Sequence, residues 1–242
     1  MRYGIFADVH GNLEALEAVL AAYKKESIDQ YLCVGDVVGY AVDFKACVEK
    51  VQALAQVTVA GNHDWAAVSL FSLNSFNPFA KEAILWTKDK LDDNCRNFLE
   101  SLKLVFKNEH LSLVHGTLDK PREFNYLTDG YIAEETFLVM ETPLCFVGHS
   151  HVPGTFIKDR QEHILCREET SFELLEGNKY IVNVGSVGQP RDGNPKAAYC
   201  ILDTEKKQIQ IKRVDYNVKA ARKKIIDAGL PDFLGDRLTL GK

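Results

Sequence analysis

The chain has 242 residues, a formal net charge of −5, 46% hydrophobic residues and 26% charged residues. This length and composition suit one large α/β domain with a full apolar core. The negative charge argues against binding of extended nucleic acid, which normally uses a basic face. No stretch approaches the roughly 18 apolar residues that a membrane-spanning helix needs, so no membrane partner is expected.

The first 60 residues alternate predicted strands and helices. The predicted strands cover 3–7, 30–34 and 57–59, and the predicted helices cover 12–25 and 43–54. The first helix carries an apolar stripe at helical spacing, made by Leu13, Leu16, Val19, Leu20 and Tyr23. Strands that alternate with helices of this length indicate βαβ units.

Residues 65–102 have a different character. A polar and aromatic loop at 69–76 precedes predicted helices at 78–89 and 93–102. We interpret this stretch as a helical insertion that covers the strand ends and helps to shape a substrate cleft. We interpret the whole chain, residues 1–242, as one domain that contains this insertion and two packed sheets.

Further strands are predicted at 111–114, 144–147, 180–184, 199–203 and 208–214. A final helix is predicted at 218–228, and Gly229 suits its C-terminal cap. The six cysteines form no Cys-x-x-Cys pair, and Cys33, Cys145 and Cys200 lie within apolar runs. Buried free thiols are typical of a reducing compartment, so we expect a cytoplasmic protein.

Short polar blocks follow several of the predicted strands. They are Asp8-Val9-His10, Gly35-Asp36, Gly61-Asn62-His63-Asp64, His115-Gly116 and Gly148-His149-Ser150-His151. Each block has an ordinary alternative, such as a capped turn or a pair of surface histidines. Strand ends on one rim of a sheet lie close together, so the combined set favours a shared metal site.

In order and spacing, these blocks resemble the motif set of the calcineurin-like metallophosphoesterase superfamily. Residues 183–191 and 229–234 are also similar to its small bacterial and archaeal branch, which includes the YfcE-type phosphodiesterases. The resemblance implies an α/β fold, a four-layer α/β-β/α sandwich of two mixed sheets flanked by helices.

The resemblance also implies a dinuclear site of two divalent or mixed-valence metal ions. One ion would be held by Asp8, His10 and His151, the other by Asn62, His115 and His149, with Asp36 as the bridge. A carboxylate has two oxygens and can span ions about 3.5–4 Å apart. Imidazole and oxygen ligands fit Mn²⁺, Fe, Co²⁺, Ni²⁺ or Zn²⁺, and Mn²⁺ is the first expectation.

The expected reaction is in-line attack on phosphorus by a hydroxide that bridges the two ions. His63 lies outside the ligand set and beside Asn62. We predict that His63 protonates the leaving oxygen or stabilises the charge that builds on it. The alternative is that His63 only packs or hydrogen-bonds within its own loop.

Departures from the family pattern narrow the substrate. The Ser/Thr protein phosphatases of the superfamily carry Gly-Asp-x-Val-Asp-Arg-Gly, where this chain has Gly39 and Tyr40 in place of the second Asp and the Arg. This chain therefore lacks, at position 40, the Arg with which a protein phosphatase binds phosphate, which argues against that assignment. Arg191 is predicted to bind phosphate instead. Four aromatic residues either line the cleft and stack on a base or pack in the core: Tyr40, Trp65, Phe76 and Tyr126.

The leading hypothesis is a metal-dependent phosphoesterase that hydrolyses small phosphodiesters or nucleotide-like molecules. The alternatives are a diadenosine polyphosphate hydrolase, a phosphomonoesterase or protein phosphatase, and a non-catalytic scaffold that has kept the fold. All seven predicted ligands and His63 are present, which argues against the scaffold. The sequence leaves open the natural substrate, the metal and the oligomeric state.

Overall fold

The computed structural model describes residues 1–242, which form twelve strands and eight α-helices. The strands are β1 Arg2–Phe6, β2 Gln30–Cys33, β3 Val57–Thr58, β4 Val105–Lys107, β5 Leu111–Val114, β6 Leu144–Val147, β7 Gly154–Lys158, β8 Ile164–Arg167, β9 Ser171–Glu173, β10 Lys179–Asn183, β11 Ala197–Asp203 and β12 Gln208–Val214. The helices are α1 Leu13–Tyr23, α2 Phe44–Leu54, α3 Asn62–Ala67, α4 Pro78–Asp89, α5 Asp93–Ser101, α6 Gly130–Val139, α7 Val218–Asp227 and α8 Asp232–Leu240.

The strands form two sheets of six. The first sheet has the order β3-β2-β1-β11-β12-β9, and the second has the order β4-β5-β6-β10-β7-β8. In the first sheet β1, β2 and β3 run parallel, and in the second β5, β6 and β10 run parallel. Both sheets also contain antiparallel pairs, so both are mixed.

The two sheets pack face to face over an apolar layer. Ile5 and Leu32 of the first sheet belong to the same buried cluster as Leu113, Phe146 and Val182 of the second sheet. Helices cover the outer faces, because α1 and α2 pack on the first sheet and α6 packs near β7 and β8 of the second. The four-layer α/β-β/α sandwich that the resemblance implied is therefore confirmed.

Helix boundaries follow from local capping. The Asn12 side chain accepts a hydrogen bond from the amide of Ala15 at the start of α1, and Asn77 does the same for Ala80 ahead of Pro78 in α4. Gly229 adopts a left-handed φ of +74° just beyond α7, as its predicted capping role requires. The predicted bounds of α4, β5, β6 and β12 agree with the structure.

Between β3 and β4 the chain passes through α3, α4 and α5. Helix α3 packs against α4 and α5, and α5 packs against α2. The description of this stretch as an insertion in a single domain remains our interpretation. None of the helices has both the length and the apolar character needed to cross a membrane.

Candidate metal centre

The polar blocks lie where the parallel strands of both sheets end. Backbone hydrogen bonds tie these loops to one another. The amide of Asp8 donates to the carbonyl of Gly35 (2.9 Å), and the amide of Gly148 donates to the carbonyl of His115 (3.0 Å). The loops after β1 and β2, and those after β5 and β6, are thereby held in register. This register brings residues distant in sequence to one place.

A first cluster consists of Asp8, His10, Asp36 and His151. Their candidate ligand atoms all lie within 4.8 Å of one another, and all four side chains are buried. The Nε2 atom of His151 lies 3.3 Å from Oδ1 of Asp8. The Nε2 atom of His10 lies 3.5 Å from Oδ2 of Asp36. The four donors therefore surround a space of the size that one ion occupies.

A second cluster consists of Asp36, His115 and His149, again with candidate ligand atoms within 4.8 Å of one another. Oδ2 of Asp36 lies 3.2 Å from Nε2 of His115. Asn62 is also buried, and its Oδ1 atom has no hydrogen-bond partner. Asp36 belongs to both clusters, which is the position that a bridging carboxylate needs.

Three histidines present their Nε2 atoms to the clusters in a fixed tautomer. Their Nδ1 atoms face backbone carbonyls, in the pairs His10–Val38 (3.0 Å), His115–Val34 (2.7 Å) and His151–Gln189 (2.6 Å). A carbonyl can only accept, so each Nδ1 carries a proton, and in the neutral form of each ring Nε2 keeps the lone pair that a metal would need. Second-sphere contacts of this kind are typical of metal-binding histidines.

The buried nitrogen and oxygen atoms of the two clusters favour bound cations. Nε2 of His10 lies 3.0 Å from Nε2 of His151, so in these tautomers two lone pairs face each other. Oδ1 of Asn62 is buried without a hydrogen-bond partner. Buried acceptors that share no proton are costly unless a cation lies between them. The residues present therefore fit a metal pair.

Five residues of the predicted ligand set have left-handed backbone conformations. Their φ angles are 56° at Asp8, 52° at His10, 55° at Asp36, 68° at His149 and 61° at His151. Such conformations cost on the order of 1 kcal/mol or more each, although Asp and His tolerate them better than most residues. Strain concentrated at one edge of the fold is typical of a functional site.

Burial sets the charge of the cluster. It raises the pKa of Asp8 to about 7, with the nearby charge of Asp36 adding to the effect against the opposing influence of His115. Burial also favours the acid form of Asp36, but His115 and His63 hold the pKa of Asp36 well below its usual range. The carboxylates of Asp8 and Asp36 repel each other when both are charged, so a cation bound between them is favoured.

The imidazoles respond to burial in different ways. Burial lowers the pKa of His10, His149 and His151 well below the ordinary histidine value, which keeps them neutral as metal ligands must be. At His115 burial also acts to lower the pKa, yet the charge of Asp36 and its hydrogen bond raise it to about 9. A metal ion would therefore displace a proton from His115.

Asp64 organises the two loops that carry Asp36 and Asn62. One carboxylate oxygen accepts from the amides of Val37 (2.8 Å) and Val38 (3.2 Å), and the other accepts from those of Asp36 (2.8 Å) and Gly61 (3.0 Å). Sequence reasoning gave this residue no role. The only available signal was its place at the end of the block Gly61-Asn62-His63-Asp64.

Gly61 is required by close approach to Asp36. A Cβ at this position would lie 2.0 Å from Oδ1 of Asp36 and 2.4 Å from its backbone nitrogen. The same Oδ1 accepts the amide of His63 at 2.9 Å. The loop after β3 is thus pressed against the proposed bridging carboxylate, which fixes the orientation of Asp36.

His63 is buried beside the second cluster. Its ring lies 4.7 Å from that of His10, 4.5 Å from that of Tyr40 and 5.0 Å from that of Phe76. Burial lowers the pKa of His63 to about 4. Its Nδ1 has no partner, and a Cβ on Gly39 would lie 2.4 Å from that atom. Any side chain at position 39 would therefore clash with the His63 ring, so this backbone leaves no room for the carboxylate that the protein phosphatases have there.

Arg191 and Tyr40 contact each other at the edge of the first cluster. The Arg191 guanidinium donates to the Tyr40 hydroxyl (3.1 Å) and to Oε1 of Gln189 (2.9 and 3.3 Å). The Tyr40 ring is buried and lies 4.6 Å from that of His10. Arg191 is only partly buried, so part of its guanidinium group remains accessible to a ligand. Phosphate binding by Arg191 and Tyr40 remains a prediction.

The other aromatic candidates divide between core and cleft. Trp65 is buried, and its Nε1 donates to the carbonyl of Leu102 (3.4 Å), so the packing alternative applies to it. Tyr126 is 49% exposed and stacks on the ring of His149, with centroids 3.9 Å apart and planes 16° apart. Phe76 meets the edge of the His63 ring. Tyr126 and Phe76 therefore border the site.

Comparison with known proteins agrees with this geometry. A family model described as the calcineurin-like phosphoesterase superfamily domain matches residues 1–207. An uncharacterized protein of Methanocaldococcus jannaschii is 40% identical over 242 residues, covering 98% of this chain and 97% of that protein. The chain belongs to the calcineurin-like phosphoesterase superfamily, as its motifs indicated.

Solved structures extend the comparison. A metallophosphoesterase from Sphaerobacter thermophilus is 38% identical, with a TM-score of 0.89 over 100% of this chain and 99% of that chain. A hypothetical protein from Pyrococcus horikoshii has a TM-score of 0.79 at 19% identity, over 100% and 98% of the two chains. The second likeness concerns the fold alone. The superfamily resemblance of the sequence motifs is confirmed.

Proposed function

We propose that this protein is a two-metal phosphoesterase that hydrolyses small phosphodiesters. The observation that carries the proposal is the pair of buried donor clusters that share Asp36. In the proposed assignment Asp8, His10 and His151 hold one ion. Asn62, His115 and His149 hold the other. When bound, two such ions neutralise phosphoryl oxygens and lower the pKa of water enough to supply a nucleophile near neutral pH.

The chain supplies the remaining functions. Its clusters lie at the meeting edge of two packed sheets, so burial strengthens electrostatic contacts with a bound phosphoryl group. His63 follows Asn62 in the chain and lines the cleft beside His149, and we assign it to the leaving oxygen as a proton donor or hydrogen-bond donor. Asp64 acts through the backbone, because it holds the loops of Asp36 and Asn62 together.

A diester is favoured over a monoester by charge. Near neutral pH a phosphate monoester is largely dianionic, since its second pKa is about 6, whereas a diester carries one negative charge. This chain has Gly39 and Tyr40 where the protein phosphatases have an additional carboxylate and guanidinium. Arg191 remains the nearby guanidinium, and it is already bonded to Tyr40 and Gln189.

We further propose Mn²⁺ as the working metal; the mixed carboxylate, amide and imidazole ligands without thiolate are compatible with this ion, as they are with Fe, Co²⁺, Ni²⁺ and Zn²⁺. A cytoplasmic location is proposed from the six free cysteines, of which five are buried. Hydrolysis of a P–O–P anhydride, as in diadenosine polyphosphates, would use the same clusters and remains the first alternative.

The direct test is nitrophenol release with added Mn²⁺. We expect kcat/KM for bis-p-nitrophenyl phosphate to exceed that for p-nitrophenyl phosphate by at least tenfold, with loss of both activities in EDTA. Preference for the monoester would support a phosphomonoesterase, and preference for diadenosine tetraphosphate would support the anhydride alternative. A protein that binds Mn²⁺ but hydrolyses none of these would support a scaffold.

A further inference from the structure

A cavity of about 120 Å³ opens directly beside the second donor cluster. Part of its wall belongs to the metal centre, because Asn62, His63 and His149 all line it. Much of the remaining wall is aromatic, including Phe76 and Tyr126. A phosphoester whose phosphorus is held by the clusters would therefore direct one of its substituents into this space.

The aromatic walls are held in place by the elements around them. Phe76 lies between the 3₁₀ turn at Leu73–Ser75, whose Leu73 carbonyl accepts its amide (3.3 Å), and Asn77, which caps α4. Its ring meets the His63 ring at 5.0 Å and an interplanar angle of 85°. Tyr126 stacks on His149. Both rings are thus positioned by contact with residues of the proposed site.

The charge of the cavity disfavours a second phosphate. Neither lysine nor arginine lines it, whereas the carboxylate of Glu123 does. A polyphosphate chain in this space would face a negative charge without a compensating cation. An uncharged substituent, or one with a hydrogen-bond donor at its edge, meets no such penalty.

The volume restricts the substituent to one ring. A protein cavity of about 150 Å³ lined by apolar side chains binds benzene, and pockets for drug-sized ligands usually measure about 300–1,000 Å³. At about 120 Å³ this cavity is close to the first case. A six-membered ring fills it, and a complete purine nucleoside does not fit.

We propose that this cavity binds the leaving group of the substrate, and that it selects phosphodiesters whose leaving group is a single uncharged planar ring. The leaving group is assigned to this side because His63, the residue proposed to act on the leaving oxygen, forms part of the wall. This inference rests on the proposed function, since the phosphate must be held at the two clusters.

The test uses calorimetric titration of the Mn²⁺-loaded protein with two phosphonates that are not hydrolysed. Benzylphosphonate has a methylene in place of the ester oxygen, and methylphosphonate lacks only the ring. Burial of a ring against the aromatic side chains of the cavity predicts that benzylphosphonate binds about 10–100-fold more tightly. Naphthylmethylphosphonate, with two fused rings, should bind no more tightly than benzylphosphonate.

Variants identify which residues of the cavity wall cause the preference for benzylphosphonate. Phe76→Ala and Tyr126→Ala should each reduce the ratio of the benzylphosphonate affinity to the methylphosphonate affinity by about tenfold. Tyr126→Phe keeps the ring and should retain the preference. Tyr131→Ala removes an exposed tyrosine outside the cavity (76% exposed) and serves as the matched control. Thermal unfolding of each variant checks that it is folded.

The outcomes separate the two claims. Equal affinities for benzylphosphonate and methylphosphonate, in a protein that hydrolyses bis-p-nitrophenyl phosphate, would overturn the cavity inference and leave the proposed function standing. A benzyl preference that survives both alanine variants would overturn it as well. Absence of metal-dependent hydrolysis together with absence of phosphonate binding would overturn the proposed function, and the inference with it.

Discussion

Replacement of Asp64 by Asn tests how the fold holds the proposed bridging residue. The change is nearly isosteric, but one oxygen becomes an NH₂ group that cannot accept. Two of the four amides that now donate to Asp64 therefore lose their acceptor inside the protein. Each buried amide left unsatisfied costs about 1–3 kcal/mol, so the loss of unfolding free energy should be about 2–6 kcal/mol.

Urea unfolding of the metal-free protein measures this loss. The matched control is Asp92→Asn, because Asp92 caps α5 at the surface, where its side chain is 46% exposed. That change should cost no more than about 1 kcal/mol. Calorimetry should also show Mn²⁺ binding weakened about 10–100-fold in Asp64→Asn, as for other residues that orient metal ligands. A loss below about 1 kcal/mol with unchanged Mn²⁺ affinity would refute the reasoning.

Three further predictions follow from the site. His63→Ala should lower kcat for bis-p-nitrophenyl phosphate by about 10²–10⁴-fold while both metals stay bound. The control His163→Ala, at an exposed histidine, should leave kcat unchanged. Loss of metal from the His63→Ala protein would contradict the assigned role. Gly61→Ala places a Cβ 2.0 Å from Asp36 and should abolish tight Mn²⁺ binding, while Gly130→Ala, whose Cβ would lie 3.6 Å from its nearest neighbour, should not. Mn²⁺ affinity should fall by about tenfold or more between pH 8 and pH 6, because protons on Asp8 (pKa about 7) and His115 (pKa about 9) compete with the metal; calorimetry that finds no change would refute this.

The donor clusters were predictable because the rule that places them is topological. Parallel strands of one sheet end at the same edge, so the polar blocks after β1 and β2 meet in the first sheet and those after β5 and β6 meet in the second. The face-to-face packing of the two sheets then brings the two pairs of blocks together. The structure brings Asp8, His10, Asp36 and His151 within one ion's reach, as the motif order implied. Their role as metal ligands is a prediction.

Other features had no local signature. Tyr126 lies in an irregular stretch without periodicity, and its stacking on His149 arises only in the folded chain. Helix α6 was missed because Tyr131 and Leu138 are exposed on it (76% and 73%), which obscures the usual apolar stripe. The left-handed backbone at Asp8 and Asp36 is likewise imposed by tertiary contacts rather than by the local sequence.

Two of the edge strands, β8 and β9, gave no detectable sequence pattern. β8 and β9 are short, largely exposed and placed at the ends of their sheets. A strand with little burial needs no alternation of apolar and polar residues, so none was available to detect. Burial alone was not sufficient either, because β7, an interior strand with Thr155 and Phe156 buried, and α8, with Leu234 and Leu238 buried, were not predicted.

Anomalous diffraction from a crystal grown with Mn²⁺ tests the central claim most directly. The account predicts two peaks per chain about 3.5–4 Å apart, with Asp36 between them. One ion should contact Asp8, His10 and His151, and the other should contact Asn62, His115 and His149. A single peak, or two ions that leave Asp36 unbound, would contradict the account.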